Sequence, residues 1–284
     1  MQRWIEDGQV LVNSAVVRRS ASRLALDDMI VVTLPPVRAR REIAVADIPI
    51  DILHEDEHLL AVNKPPGIVV HPTHAQADGT LLNALAGYAR GWPDGYRPSL
   101  LGRLDKHTSG VVLVAKTAAI HASAQRALAS RASEKDYLAV VYGRPPIRGT
   151  IDLKLRRDSV DRRRVVASPT CGKGSVTQFE RLSLMRVGPG LSLALLRCRL
   201  VTGRTHQIRV HLASSGWPIV GDPVYGKARW TKVEQEVLGE IVRTFPRQAL
   251  HAWRPTFPHP VGGDQVSIEA PAPDDFAELQ KHVG

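Results

Sequence analysis

The stretch Gly102-Arg103-Leu104-Asp105-Lys106-His107-Thr108-Ser109-Gly110 sets one carboxylate, Asp105, between two cations. Glycines bracket it and Thr108-Ser109 closes it, so it reads as a loop. The β-branched apolar run that follows, Val111 to Ala115, predicts a short buried strand. A carboxylate on a loop that feeds a rigid strand is well placed for chemistry; the same residues also fit a salt-bridged turn. A second candidate lies in Thr205-His206-Gln207-Ile208-Arg209-Val210-His211-Leu212, which predicts a helix from Thr205 to about Ser214. Ile208 and Leu212 share a face, and Arg209 between Ile208 and Val210 is expected to be partly buried. A buried guanidinium needs a carboxylate or several acceptors; the plainer reading is a surface ion pair. Arg204 and His206, at the helix start, suit a phosphate contact. The third candidate is Tyr137, beside Lys135 in a strand-like run. It reads either as a core or edge tyrosine, or as a ring that stacks on an extruded base and positions a proton.

Other patterns exclude chemistry. Gly221-Asp222-Pro223-Val224-Tyr225-Gly226-Lys227-Ala228 nearly spells a P-loop. Ala228 stands where a magnesium-binding hydroxyl is needed, and Pro223 withholds an N–H from the cradle. His71/His74 and His206/His211 lack the carboxylate or thiol partners of a metal site. No Gly-x-Ser-x-Gly elbow is present. Neither a metal nor a cofactor, nucleotides included, is therefore expected. The two cysteines, Cys171 and Cys198, form no Cys-x-x-Cys pair and suit a reducing cytoplasm. No run approaches the roughly 20 apolar residues of a membrane span, and Arg3, Glu6 and Asp7 interrupt any leader. Lysine and arginine (38) exceed aspartate and glutamate (28) by 10. A net charge of that size points to a polyanionic partner, nucleic acid foremost, or to a generic basic surface.

The chain of 284 residues, 43% apolar, can hold one large domain and a small one. Residues 1–34 read as a short helix over 2–7 and three strands, over 9–12, 16–17 and 29–34. Residues 35–50, with Arg38, Arg40 and Arg41, read as a basic linker, and 51–284 as the large domain. Within it, strands are predicted over 59–63, 68–70, 134–142, 176–186, 191–200, 248–253 and 265–269. Helices are predicted over 79–90, 117–131 (capped by Thr117) and 228–245, and 274–282 reads as a short amphipathic tail. Residues 154–175, crowded with Arg156, Arg157, Arg162, Arg163, Arg164 and Lys173, read as a mobile hairpin or loop, either solvated or in contact with phosphate. Hairpins alternating irregularly with helices predict an α+β class with a largely antiparallel sheet.

Several motifs in order carry a resemblance over about residues 51–270. They are Leu60-Ala61-Val62-Asn63-Lys64-Pro65, Val70-His71-Pro72, Asp78-Gly79-Thr80-Leu81-Leu82-Asn83, Arg103-Leu104-Asp105-Lys106, Lys135-Asp136-Tyr137-Leu138, Thr202-Gly203-Arg204-Thr205-His206-Gln207-Ile208-Arg209, Gly221-Asp222-Pro223-Val224-Tyr225-Gly226 and Gln248-Ala249-Leu250-His251-Ala252. Together they resemble the RluA-type pseudouridine synthases, RluD-like branch. Residues 1–34 resemble the end of an S-four-type RNA-binding domain. Met1 falls where that domain's second helix opens, so the domain is expected to be partial, through an upstream start or through loss of that half. Two departures stand out. Gly102 replaces the usual His before Arg-Leu-Asp, and Lys106-His107 replaces Lys-Asp.

The resemblance implies the pseudouridine synthase fold, a mixed and largely antiparallel central sheet with flanking helices. It implies isomerisation of uridine to pseudouridine in RNA: the N1–C1′ bond breaks, the base turns, and C5 bonds to C1′. Asp105 would be the essential carboxylate, by direct attack on C1′ or by a glycal route, with Arg209 as its partner. Tyr137 would pack on the flipped base, Arg103 would help fill the vacated space, and Lys64, Arg204 and His206 would join it in contacting RNA. The expected enzyme is a cytoplasmic monomer acting on 23S ribosomal RNA. The alternatives are a synthase for transfer RNA or another ribosomal site, and a non-catalytic RNA-binding or ribosome-assembly factor.

Overall fold

A computed structural model of the chain describes residues 2–33, 44–46, 48–73, 76–162, 164–226 and 230–284. The chain divides into two compact units, Met1–Ile43 and Ala44–Gly284. The smaller holds helix α1 (Gln2–Glu6) and strands β1 (Val10–Val12), β2 (Ala15–Val16) and β3 (Ile30–Val32), antiparallel in the order β2-β1-β3. Asn13 and Ser14 take φ of 50° and 69°, the pair of left-handed residues that a tight two-residue hairpin requires. The Asn13 amide donates to Asp28 at 2.7 Å and accepts from the Met29 N–H at 2.9 Å, which ties the hairpin to the start of β3. Val10 is the one buried side chain among the unit's described residues, so little apolar burial holds it together.

The larger unit is built on an eleven-stranded sheet. Its strands are β4 (Asp51–Glu55), β5 (Leu59–Lys64), β6 (Ser99–Leu100), β7 (Ser109–Ala115), β8 (Glu134–Tyr142), β9 (Arg148–Arg157), β10 (Val165–Ser168), β11 (Lys173–Gly188), β12 (Leu191–Leu200), β13 (Leu250–Pro258) and β14 (Gln265–Ser267). The order is β10-β9-β11-β12-β8-β13-β7-β5-β4, with β6 on β7 and β14 on β13. Every pairing is antiparallel except β13 with β7, so the sheet is mixed and largely antiparallel, as expected. Helices α2 (Leu81–Tyr88), α3 (Ala118–Ala129), α4 (Gln207–Ser214), α5 (Glu236–Thr244) and α6 (Asp274–Val283) cover it.

Side-chain alternation explains the covering. Along β5 and β7, Leu59, Ala61, Val111, Leu113 and Ala115 pack with Ala124 and Leu128 of α3. The intervening Leu60, Val62, Val112 and Val114 pack with Leu81 and Leu85 of α2. Strands buried on both faces read as unbroken apolar runs. A third core joins β8 and β12 to Ile208 and Leu212 of α4, Leu238 and Val242 of α5, and Phe276 and Leu279 of α6.

The structure departs from several expectations. Residues 35–43 and 47 of the expected linker, and residue 34 at the end of the third expected strand, lie outside the described residues. Ala44 and Ala46, expected there too, belong to the larger unit: Asn83 donates to the Ala44 carbonyl at 2.6 Å, and the Ala46 N–H donates to Asn83 at 3.2 Å. In the basic stretch 154–175 the hairpin reading holds over the loop one, and the hairpin is built into the sheet: residues 154–157, 165–168 and 173–175 are strand, and Leu155 pairs with Ala167 on one side and Lys173 on the other. Its alternation was masked by charge, since Ile151 and Leu155 turn inward while Asp152, Lys154 and Arg156 face solvent. Residues 68–70 form no strand, and within 228–245 the described helices are a single 3₁₀ turn, Trp230–Lys232, and α5.

The parallel register sets Gly110 against Ala252. Gly110 takes φ of +112°, and a Cβ there would lie 2.1 Å from the Ala252 carbonyl oxygen. Gly110→Ala is expected to cost about 1–3 kcal/mol from backbone strain alone, with the clash added. Urea unfolding of the two proteins checks this; equal stability would show that β7 and β13 can spread.

Candidate active site

The loop from Gly102 to Thr108 is held almost entirely through its backbone. Leu101 N–H donates to Leu113 at 2.9 Å, and Thr108 N–H donates to the Asp105 carbonyl at 3.1 Å. The Lys106 carbonyl accepts from Gly67 N–H at 2.9 Å and from Lys64 Nζ at 3.0 Å. Arg247 Nη1 donates to the His107 carbonyl at 3.1 Å, and Gln248 Nε2 to Thr108 Oγ1 at 3.2 Å. Arg247 is itself gripped by both oxygens of Asp275 on α6, at 2.6 and 2.7 Å. Ser109 Oγ meets His251 Nδ1 at 3.0 Å, and His251 Nε2 donates to the Ala270 carbonyl at 3.1 Å. Gly102 plays no part in this. It is exposed, its backbone is ordinary, and a Cβ there would meet nothing within 4 Å. The loop therefore keeps its shape without the usual histidine.

Arg209 stands at the centre. It is 5% exposed, and every residue of α4 from Gln207 to Leu212 is buried. Its Nε and Nη2 donate to the two oxygens of Asp222 at 2.7 and 2.9 Å, and its Nη1 donates to Asp105 Oδ2 at 2.9 Å. Asp222 is placed by Gly221, whose φ is +70° and whose Cβ would lie 2.0 Å from the Arg247 carbonyl oxygen. No other residue fits that bend. Asp222 Oδ1 also accepts from Val224 and Tyr225 N–H at 2.9 and 3.0 Å. The motif that mimics a P-loop is thus an Asp-closed turn that presents a carboxylate to Arg209. Ahead of α4, the Gln207 side chain accepts from Thr202 Oγ1 (2.8 Å) and Arg204 N–H (3.0 Å). It donates to the Val176 carbonyl and Thr177 Oγ1, both at 3.0 Å. This staples residues 202–206 to β11 and leaves His206 in the left-handed region at φ 55°. His206 Nδ1 lies 2.8 Å from Tyr225 Oη, and its Nε2 lies 3.7 Å from Asp105 Oδ2.

These groups border a cleft of about 800 Å³, lined by Arg103, Asp105, Tyr137, Arg204, His206 and Arg209 among others. Six of the seven residues singled out from the sequence thus converge, from a loop, a strand and a helix. The seventh, Lys64, is a correction. It is fully buried, and its ammonium donates to the carbonyls of Pro65 (2.7 Å), Ile68 (3.0 Å) and Lys106. It braces the loop and has no surface to offer RNA. Arg103 and Arg204 are exposed. His206, expected at a phosphate, is held by Tyr225 and faces Asp105 instead.

The charges divide cleanly. Burial works against a charged Arg209, but hydrogen bonds and the charge of Asp222, with Asp105 added, more than offset it, and the guanidinium is held firmly protonated. Burial would raise the Asp222 pKa, yet Arg209 and two backbone N–H groups pull it below the usual range. His206 is lowered, chiefly by burial and then by Arg209, with Asp105 and Asp222 opposing. The Tyr137 hydroxyl is pushed up by burial and by the charge of Asp105, so it keeps its proton. A second cleft carboxylate, Asp136, is closed off by Arg199, which donates to both its oxygens at 2.8 and 2.9 Å. Asp105 differs: among the described residues no group reaches its Oδ1. Sequence reading missed Asp222, Tyr225, Arg247 and Asp275. The first two sit in the near-P-loop, which counted towards the resemblance without a role for either residue, and a buried Arg209 should have prompted a search for a second carboxylate.

Two tests follow from this geometry. Removing one partner of a buried ion pair costs about 3–5 kcal/mol, so Asp222→Ala should lose that much stability in urea unfolding. A loss under about 1 kcal/mol would show that Asp105 alone suffices for Arg209. Lys64 gives a pH signature. Burial, and next the charge of Arg247, lower it from 10.5 to about 7 against the pull of Asp105. Between those values the unfolded chain binds the extra proton, so stability rises with pH. The stability of wild type minus that of Lys64→Met should be flat below pH 7 and climb from there towards 10.5; a flat difference throughout would place the lysine in water.

Comparison with known proteins agrees with the geometry. Residues 58–214 match the family described as RNA pseudouridylate synthase. The chain is 40% identical over 273 residues to ribosomal large subunit pseudouridine synthase D of Zymomonas mobilis, covering 94% of this chain and 83% of that protein. It is 39% identical over 282 residues to the protein of the same name from Pseudomonas aeruginosa, covering 97% and 84%. Among solved structures, human RNA pseudouridylate synthase domain containing 1 superposes with a TM-score of 0.62 at 28% identity, over 80% of this chain and 85% of that one. A cleft with one open carboxylate, the matching fold and this level of identity lead to one conclusion: the chain belongs to the RNA pseudouridine synthases.

Proposed function

We propose that this enzyme isomerises specific uridines of large-subunit ribosomal RNA and that Asp105 is its reacting carboxylate. The observation that carries the reading is the asymmetry of Asp105. Oδ2 is pinned by Arg209, while Oδ1 has no partner among the described residues of a cleft large enough for an extruded nucleoside. Flipping the uridine out of its stack costs a few kcal/mol, and the cleft repays it through contact with ring and ribose. Asp105 then meets the sugar. It either attacks C1′ as N1 departs or removes the C2′ proton towards a glycal, and both routes start from the carboxylate. The freed uracil turns about the site and C5 bonds to C1′, which breaks the Asp105–C1′ bond on the first route and returns the abstracted proton to C2′ on the second; the proton on C5 is then lost and N1 ends protonated, so no redox step is involved. Tyr137, whose hydroxyl keeps its proton and has no partner among the described residues, is suited to stacking on the base and to donating a hydrogen bond. Arg103 and Arg204, exposed on the cleft, are suited to phosphates and to the gap left in the helix.

The ribosomal target rests on the relatives, two of which are named for the large subunit. The net charge of +10, with Lys154, Arg156, Arg157 and Arg162 exposed on β9 and just beyond it, supplies affinity without sequence preference. A cytoplasmic monomer completes the reading, and a ribosomal substrate suits that compartment. Among the described residues no helix is long and apolar enough to cross a membrane. Asp105→Ala should fold and bind RNA as the wild type does, yet form no pseudouridine above background when modified sites are mapped on large-subunit RNA from cells carrying the variant. Retained turnover would overturn the role of Asp105. Loss of a pseudouridine from transfer RNA alone, in cells lacking the gene, would overturn the ribosomal target.

A further inference from the structure

We propose that His206 is a positioning residue: held by Tyr225 as the tautomer with its proton on Nε2, it is a second donor to Asp105 Oδ2 and keeps Oδ1 turned to the substrate. The proposal rests on Asp105 being the reacting carboxylate. Its starting point is the hydrogen-bond inventory of one phenol. Tyr225 Oη already accepts from Val165 N–H at 2.9 Å. Its own O–H remains to be donated, and among the described residues the acceptor within reach is His206 Nδ1, at 2.8 Å. A nitrogen that accepts cannot carry the ring proton, so in a neutral imidazole that proton sits on Nε2. The ring is kept neutral by its setting, half-buried and close to the Arg209 guanidinium.

Nε2 is the nitrogen that faces Asp105, and its distance of 3.7 Å from Oδ2 is one small movement from a hydrogen bond. Arg209 Nη1 approaches the same oxygen at 2.9 Å. Two donors on Oδ2 fix the rotation of the carboxyl group, which one donor does not. The backbone supports the arrangement. His206 is held at φ 55°, a conformation uncommon for a residue with a side chain. The rings of His206 and Tyr225 meet edge-on at 5.6 Å, and the Arg209 guanidinium lies 5.1 Å from the Tyr225 ring centre. Tyr225 also packs with Leu155, Val165 and Val210, so its position is set by the β9–β10 end of the sheet and by α4.

The test has two arms. Ring-nitrogen-15 NMR of the full chain at pH 7.5, without RNA, reads the tautomer; the His206 signal is identified by its loss in His206→Gln. The expected result is a proton on Nε2 and none on Nδ1. A proton on Nδ1, or on both nitrogens, overturns the proposal whatever the enzyme's substrate proves to be. The second arm compares steady-state turnover. Tyr225→Phe should lower kcat by about tenfold or more with KM within about twofold. His206→Gln, whose longer amide can stand near Nε2, should retain several times the kcat of His206→Asn. Wild-type kcat in Tyr225→Phe, or equal kcat in Gln and Asn variants that melt at the same temperature, would reduce His206 to packing.

Discussion

A guanidinium out of water must have its N–H groups satisfied, and Arg209 meets that demand by drawing three remote segments together. Asp222 accepts from Nε and Nη2 along one edge and Asp105 accepts from Nη1, while α4 supplies the cation itself. Each segment carries a backbone device for reaching that point. Gly110 lets β7 approach β13, Gly221 bends the chain beneath Arg209, and His206 turns the chain into α4. Loss of the bend that places Asp222 would leave Arg209 a single carboxylate bond, the one to Asp105, and this ties motifs far apart in sequence to one another. The three segments are the apices of one coordination pattern.

The acidic groups around the site differ in how completely they are neutralised. Asp222 and Asp136 each face a guanidinium with both oxygens and are structural ions. Asp105 shares one oxygen and leaves the other open. A fully paired carboxylate would be oriented but inert; a fully free one would be reactive but unaimed. The half-paired state combines orientation with availability. The loop that carries it has little freedom, because Lys64, Gly67, Arg247 and Gln248 hold consecutive backbone or hydroxyl groups on its far side.

Much of this was legible in the sequence where period and chemistry coincide. β5, β7, β8 and β12 follow from their apolar runs, and the Thr117 cap fixes the start of α3: its hydroxyl accepts from Ile120 N–H at 3.2 Å. Asp105, Tyr137 and Arg209 were found through motifs, and Arg209 also through its apolar neighbours. The misses share one cause: charge and composition hid geometry. In residues 154–175 the cations concealed a strand period carried by only a few apolar residues. Lys64 was counted among the RNA contacts because a lysine that donates to three carbonyls has no signature in one dimension. Asp222 sat in a motif judged by the phosphate it could not bind rather than by the arginine it could.

The clamp of Arg247 on the His107 carbonyl has a consequence for where the functional unit ends. Its grip depends on Asp275, and Asp275 belongs to α6, whose Phe276 and Leu279 are buried in the core shared with β12. The family match stops at residue 214. A fragment cut there would keep Asp105 and Arg209 but lose Asp222, Tyr225, Arg247 and the helix that steadies it. The last ten residues of fold, remote from RNA by sequence, are therefore part of what aims the carboxylate.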